Sequence, residues 1–217
     1  MLIFILLFGV FLFSVPLIIL GIVWQAKRAA ENIHRLAASL GLQYDTRPPI
    51  WGVIYREIRA RGQLRGKSVE LFPFSIGAGK SRTQCCAVTA TVPAGNRLTF
   101  HLRRQGFGTG VMELFGAQEV QTGDVEFDRA WFIQTNQPEF FRQALLPEVR
   151  ARIMALVRET GVLGRRMDFR LDETTVRYSE VGSFAESGCC QRCGRAVEIV
   201  CDLADVAEVF AEQPPAN

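Results

Sequence analysis

No charged side chain occurs among the first twenty-six residues, Met1 to Ala26. That absence argues first against a cleaved secretory signal. No Lys or Arg precedes the apolar run, which is longer than the ~7–15 residues of a signal's apolar core. Trp24-Gln25 also stands where a cleavage site would need small residues. Histidine is scarce: His34 and His101 are the only two, and both lie far from the cysteines in sequence, so a Cys/His zinc pattern has no support. The six cysteines (Cys85, Cys86, Cys189, Cys190, Cys193, Cys201) include two adjacent pairs and lack the spacing of a disulfide framework. Reduced thiols in a cytoplasm are the simpler account. Low-complexity tracts and internal repeats are absent too.

What stands in place of charge at the N-terminus is MLIFILLFGVFLFSVPLIILGIVW. At about 1.5 Å per residue this run is long enough for the roughly 30 Å core of a bilayer, which predicts a transmembrane anchor over 1–26. Gly9 and Pro16 are tolerated in such a helix, and Trp24 suits an interfacial position. Lys27, Arg28 and Arg35 follow the run, so the positive-inside rule predicts the N-terminus outside and the C-terminal domain cytoplasmic, on the inner (plasma) membrane.

The remaining chain is expected to be α+β: a single N-terminal transmembrane helix followed by an antiparallel-sheet domain with packed helices. Residues 27–50 read as a juxtamembrane helix and linker. Ile33, Leu36, Ala37 and Leu40 recur at helical spacing, Gly41 suits a C-cap, and Arg47-Pro48-Pro49 breaks the element. A soluble domain follows over 51–212, with a disordered tail at 213–217. About four strands are expected between Trp51 and Arg104, an irregular stretch over Phe107–Gly123, and a fifth strand at Phe127–Gln134. Helices are expected from Pro138 and around Pro147, where a kink or a new start is foreseen. A hairpin over Arg166–Val181 turns at Asp172-Glu173, and a last helix covers Cys189–Phe210.

Charge is uneven. Trp51–Arg104 carries a net +8, whereas the chain from Gln105 onward carries −7. The basic half adjoins the anchor, and anionic lipids attract such residues by about 1 kcal/mol each. Lys27, Arg28, Arg59, Arg61, Arg65 and Lys67 are therefore the lipid-contact candidates.

Three motifs suggest chemistry. Gly77-Ala78-Gly79-Lys80-Ser81 looks like the end of a phosphate loop, but Phe74 stands where the first glycine belongs and a strand-like segment follows. Neither nucleotide nor nucleic acid is expected as a ligand. Asp124, Glu126 and Asp128 would share one face of a strand and could act as acid and base or hold Mg²⁺, although no nucleophile, His or Lys is close by. Cys190 and Cys193 have zinc-knuckle spacing without a second pair, and they also fall on an apolar helical stripe where thiols pack as small hydrophobes. No cofactor is expected.

The succession Leu40-Gly41-Leu42-x-Tyr44, Gly62…Gly66-Lys67-x-Val69, Lys80-x-Arg82-Thr83, Gly123-Asp124-x-x-Phe127-Asp128 and Asn136-x-Pro138-Glu139…Leu145-Leu146 resembles uncharacterised bacterial membrane-anchored proteins with a cytoplasmic α+β domain. The resemblance implies a bacterial inner membrane and transfers no catalytic residue. The reading adopted is a membrane-tethered cytoplasmic module binding a protein or an anionic lipid surface. One alternative is a membrane-bound enzyme using the carboxylates, and a second is a zinc or redox-thiol protein.

Overall fold

The computed structural model of the chain describes residues 2–45, 58–94, 96–105, 120–160 and 166–212, with side chains from Ser14 onward. A long helix, α1 (Leu2–Leu40), leads into strands β1 (Gln43–Asp45), β2 (Arg59–Leu64), β3 (Lys67–Ile76), β4 (Thr83–Thr91) and β5 (Phe100–Arg104). Helix α2 (Val125–Ala130), strand β6 (Trp131–Thr135) and helices α3 (Pro138–Ala144) and α4 (Pro147–Arg158) follow. The hairpin β7 (Met167–Asp172) and β8 (Thr175–Val181) then precedes α5 (Ser187–Glu212).

The eight strands form one sheet in the order β1-β2-β3-β4-β8-β7-β5-β6, with every neighbouring pair antiparallel. A single line of registered partners crosses it: Tyr44, Ala60, Leu71, Val88, Tyr178, Phe169, Leu102 and Ile133. Because side chains alternate along a strand, these residues share one face. From Ala60 onward all of them are buried, and Tyr44 packs at the edge of the same core. Helix α5 lies on this face over β3, β4 and β8, with α4 and α1 packed beside it. Each large apolar side chain covered in this way contributes about 1.5–3 kcal/mol.

Local signals account for the boundaries. Gly41 takes φ +69° and Leu42 N–H donates to Ala37 O at 2.8 Å, which ends α1 in a left-handed cap. Arg65 and Gly66, both at positive φ, make the two-residue turn between β2 and β3. Pro147 starts a new helix rather than kinking one.

The expected transmembrane helix is corrected. Among the described residues, no helix is long and apolar enough to cross a membrane. The apolar run instead belongs to a 39-residue helix whose second half carries Lys27, Arg28, Glu31 and Arg35 on one side. Its other side buries Ala29, Ala30, Ile33 and Ala37 in the domain core.

Two further expectations differ. The fifth strand begins only at Trp131, because Asp124 caps a short helix over Val125–Ala130. The hairpin β7–β8 also inserts between β4 and β5, so the strands expected between Trp51 and Arg104 are not all neighbours in the sheet. The Arg47-Pro48-Pro49 break, Val53 and Tyr55 of the first expected strand, most of Phe107–Gly123 and the 213–217 tail lie outside the described residues.

Gly62 marks the closest approach between the α1 exit and the sheet. A Cβ there would sit 2.7 Å from Leu42 Cδ2 and 3.3 Å from Leu42 Cα. Gly62→Val is expected to lower stability by about 1–3 kcal/mol in urea unfolding. Gly21→Ala, whose added Cβ meets nothing within 4 Å, should not lower it.

Candidate functional site

The three carboxylates do not form a site. Asp124 accepts from Phe127 N–H at 3.2 Å as the cap of α2, with its other oxygen 3.6 Å from Arg150 Nε. Glu126 points outward to Arg158 at 2.9 Å. Asp128 accepts from Thr122 N–H at 3.0 Å, Thr122 Oγ1 at 2.8 Å and Gly123 N–H at 3.0 Å, which closes the preceding turn. The shared strand face expected for them is corrected, since positions two apart on a helix point about 200° apart. The Gly77–Ser81 motif is the connection between β3 and β4. It contains a single 3₁₀ turn at Gly79–Ser81, and β4 follows it.

Most of the basic candidates are engaged within the fold. Arg59 and Arg61 both reach Glu70 Oε1, at 2.9 and 3.0 Å. Arg65 contacts Asp202 at 2.8 Å, Glu198 at 3.6 Å and Asp205. Lys67, only 4% exposed, sits 2.8 Å from Asp205 and 2.6 Å from Glu208. Burial works against the Lys67 ammonium, but hydrogen bonds to those two acids outweigh it and hold its pKa above the ordinary value. The basic and acidic halves of the chain thus meet as an ion-pair seam between the β2–β3 hairpin and α5. Lys27 and Arg28 are different. Both are exposed, Lys27 has only a 4.0 Å contact with Glu31, and Arg28 stacks over the Trp24 ring at 5.1 Å.

Just before these two cations, α1 leaves the domain with Leu17, Ile18, Ile19, Leu20, Ile22 and Trp24 each at least 55% exposed. Four consecutive positions cover most of a helix circumference, so the exposed apolar surface wraps the helix rather than forming a stripe. At its base a cavity of about 440 Å³ opens between Ile22, Ala26 and Ala29 of α1 and Arg59, Pro73, Gln84 and Phe184.

A second cluster is buried under α5. Cys86 on β4 and Glu180 on β8 are registered cross-strand partners on the core face. Helix α5 lays Cys189, Arg192 and Cys193 over them. The three sulfurs of Cys86, Cys189 and Cys193 lie within 4.8 Å of one another, and all three residues are fully buried. The Cys189 thiol donates to Cys86 Sγ at 3.2 Å, while Cys86 lies 3.6 Å from Gly182 O. Hydrogen bonds from Cys189 and then Cys193 pull the Cys86 thiol down to about 6. For Cys189 the bond with Cys193 acts downward, but its donation to Cys86, burial and the Cys86 charge push it up to about 12. Burial raises Cys193 well above the ordinary value.

Glu180 accepts from Arg192 Nε at 2.8 Å, Arg192 Nη2 at 3.2 Å and Tyr178 OH at 3.1 Å. Burial outweighs the pull of Arg192 and raises the carboxyl to about 7. Of the expected pair, only Cys193 joins this group. Cys190 faces α1 instead, 3.6 Å from Asn32 O. Residues three apart on a helix diverge by about 60°, and those four apart by about 40°. The partners missed were Cys189, four before Cys193, and Cys86, two before Val88 on the buried face of β4.

Removing one member of the Arg192–Glu180 pair strands a charge in the core. Arg192→Met and Glu180→Met should each lower stability by about 3–5 kcal/mol. The double variant should lose clearly less than their sum in a denaturant-monitored cycle.

Comparison with known protein families, with curated proteins and with solved structures finds no match. The resemblance drawn from the sequence therefore rests on its short motifs alone.

Proposed function

We propose that this protein is a non-enzymatic module that binds an anionic lipid surface through the exposed apolar part of α1. The observation that carries the reading is the cluster Leu17–Trp24, open to solvent on most of the helix circumference and followed at once by the exposed Lys27 and Arg28. A contiguous apolar surface of this kind marks an interaction site. A neighbouring cationic collar selects lipid headgroups over an apolar protein groove. Apolar side chains enter the boundary between headgroups and acyl chains, and Trp24 suits that depth with its polar N–H. Lys27 and Arg28 add about 1 kcal/mol each at an anionic surface. Two features support a cytoplasmic leaflet of a bacterial inner membrane as that surface: the excess of basic residues just after the apolar run, and the six free thiols. The enzyme reading has no comparable support, since each of its carboxylates is engaged elsewhere.

The full chain should float with phosphatidylglycerol vesicles. Ile18→Gln with Ile22→Gln should leave it in the dense fraction at any salt concentration. Lys27→Gln with Arg28→Gln should remove the preference for anionic over phosphatidylcholine vesicles, as should about 0.5 M salt, where the Debye length is only a few ångström. A wild-type chain that does not float, or a variant combining all four substitutions that floats like the wild type, would refute the reading.

A further inference from the structure

We propose that Cys86, Cys189 and Cys193 form a three-coordinate site for a soft, thiophilic metal ion of the Cu(I) class. Three sulfurs bound to one ion at about 2.3 Å lie about 3.8–4.0 Å apart, whether the arrangement is tetrahedral or trigonal. The three sulfurs here already fall within 4.8 Å of one another. The Cys86–Cys189 pair, at 3.2 Å, must open by well under 1 Å.

The backbone holds this arrangement in place. Cys189 and Cys193 are one turn apart on the buried face of α5. Cys86 is fixed in β4 between its registered partners Pro73 and Glu180. Thiolates select soft ions such as Cu(I) and Zn(II) over Mg²⁺ or Ca²⁺. Coordination number then separates the two. A structural zinc site takes four ligands, and among the described residues no further His, Cys or carboxylate completes the group. The nearest carboxylate, Glu180, has both oxygens held by Arg192, with Tyr178 on one of them. All three cysteines are fully covered, so solvent does not supply the missing ligand. Three sulfurs in a dry apolar pocket suit an ion that accepts three donors.

Arg192 has a positioning role. It holds both oxygens of Glu180 and places a positive charge beside a centre that becomes anionic. Binding forms three metal–sulfur bonds as three S–H bonds break, and the three protons leave to solvent with no change in oxidation state.

The test is an anaerobic titration of the reduced full chain with Cu(I), competed against a chromophoric Cu(I) chelator, with native mass spectrometry and X-ray absorption as readouts. One ion per chain with three sulfur neighbours is expected. Cys86→Ser and Cys193→Ser should each bring the stoichiometry from one to none. Cys190→Ser and Cys201→Ser, which alter thiols outside the cluster, should leave it at one. If a cluster variant fails to fold, the wild type still decides, because one equivalent of Cu(I) must raise its unfolding temperature. No bound ion, one ion retained after Cys86→Ser, uptake of Zn(II) to the exclusion of Cu(I), or a Cys86–Cys189 disulfide in a chain that takes up no metal when reduced would each overturn the proposal.

Discussion

The Arg192–Glu180 pair fixes more of this fold than any other contact. Glu180 lies on the core face of β8 because it alternates with Tyr178 and Val176, which the sheet needs inside. A carboxylate there requires a partner, since an unpaired buried charge costs several kcal/mol. Arg192 supplies it with two hydrogen bonds, and that fork sets both the axial position and the rotation of α5. A shift of one residue along α5 would swing the guanidinium about 100° away. The thiols, the acidic seam and the α1 contact all inherit this placement. Asp202 and Asp205 come to face Arg65 and Lys67, and Gly194 comes close enough to α1 that an added Cβ would sit 2.9 Å from Leu36 Cδ1.

The pair also explains why reading the two charged halves separately misleads. Viewed along the chain, the basic β2–β3 region and the acidic C-terminal region suggest two surfaces with different partners. In the fold they are each other's partner. Arg65 alone reaches three acids of α5, and the buried Lys67 pairs with Asp205 and Glu208 of the same helix. Of the six basic candidates, Lys27 and Arg28, carried outward on α1, are the two with no ion pair to the sheet or to α5 among the described residues.

Local signals were legible in the sequence: the Gly41 cap, the helix starts at Pro138 and Pro147, the 166–181 hairpin and the last helix all follow from neighbouring residues. The α+β class follows from their order. What the sequence hid was non-local. That β8 would sit between β4 and β7 depends on pairings ninety residues apart, such as Val88 with Tyr178. The helix over Val125–Ala130 was masked because Phe127 and the aromatic Trp131-Phe132 run read as one continuous strand. The thiol group was half legible: the sequence places Cys190 and Cys193 on an apolar helical stripe, but it is Cys189, one turn before Cys193, that joins it. Cys86 was reachable by alternation within β4 but only pairing distant segments makes it a neighbour. The apolar N-terminal run was the reverse case, where a strong local signal suggested a free-standing span and the structure joins it to the core.

That junction has a mechanical consequence. Helix α1 passes from the exposed apolar part to the buried Ala29–Ala37 part without a break, and Ile33 and Ala37 clamp its lower half against the domain. A continuous helix transmits torque as well as position. The angle at which the eight-stranded sheet faces any surface that grips Leu17–Trp24 is therefore set by helical phase, and one inserted residue between Trp24 and Lys27 would turn the whole domain by about 100° and lift it by about 1.5 Å. The domain is geared to its N-terminal helix rather than hung from it.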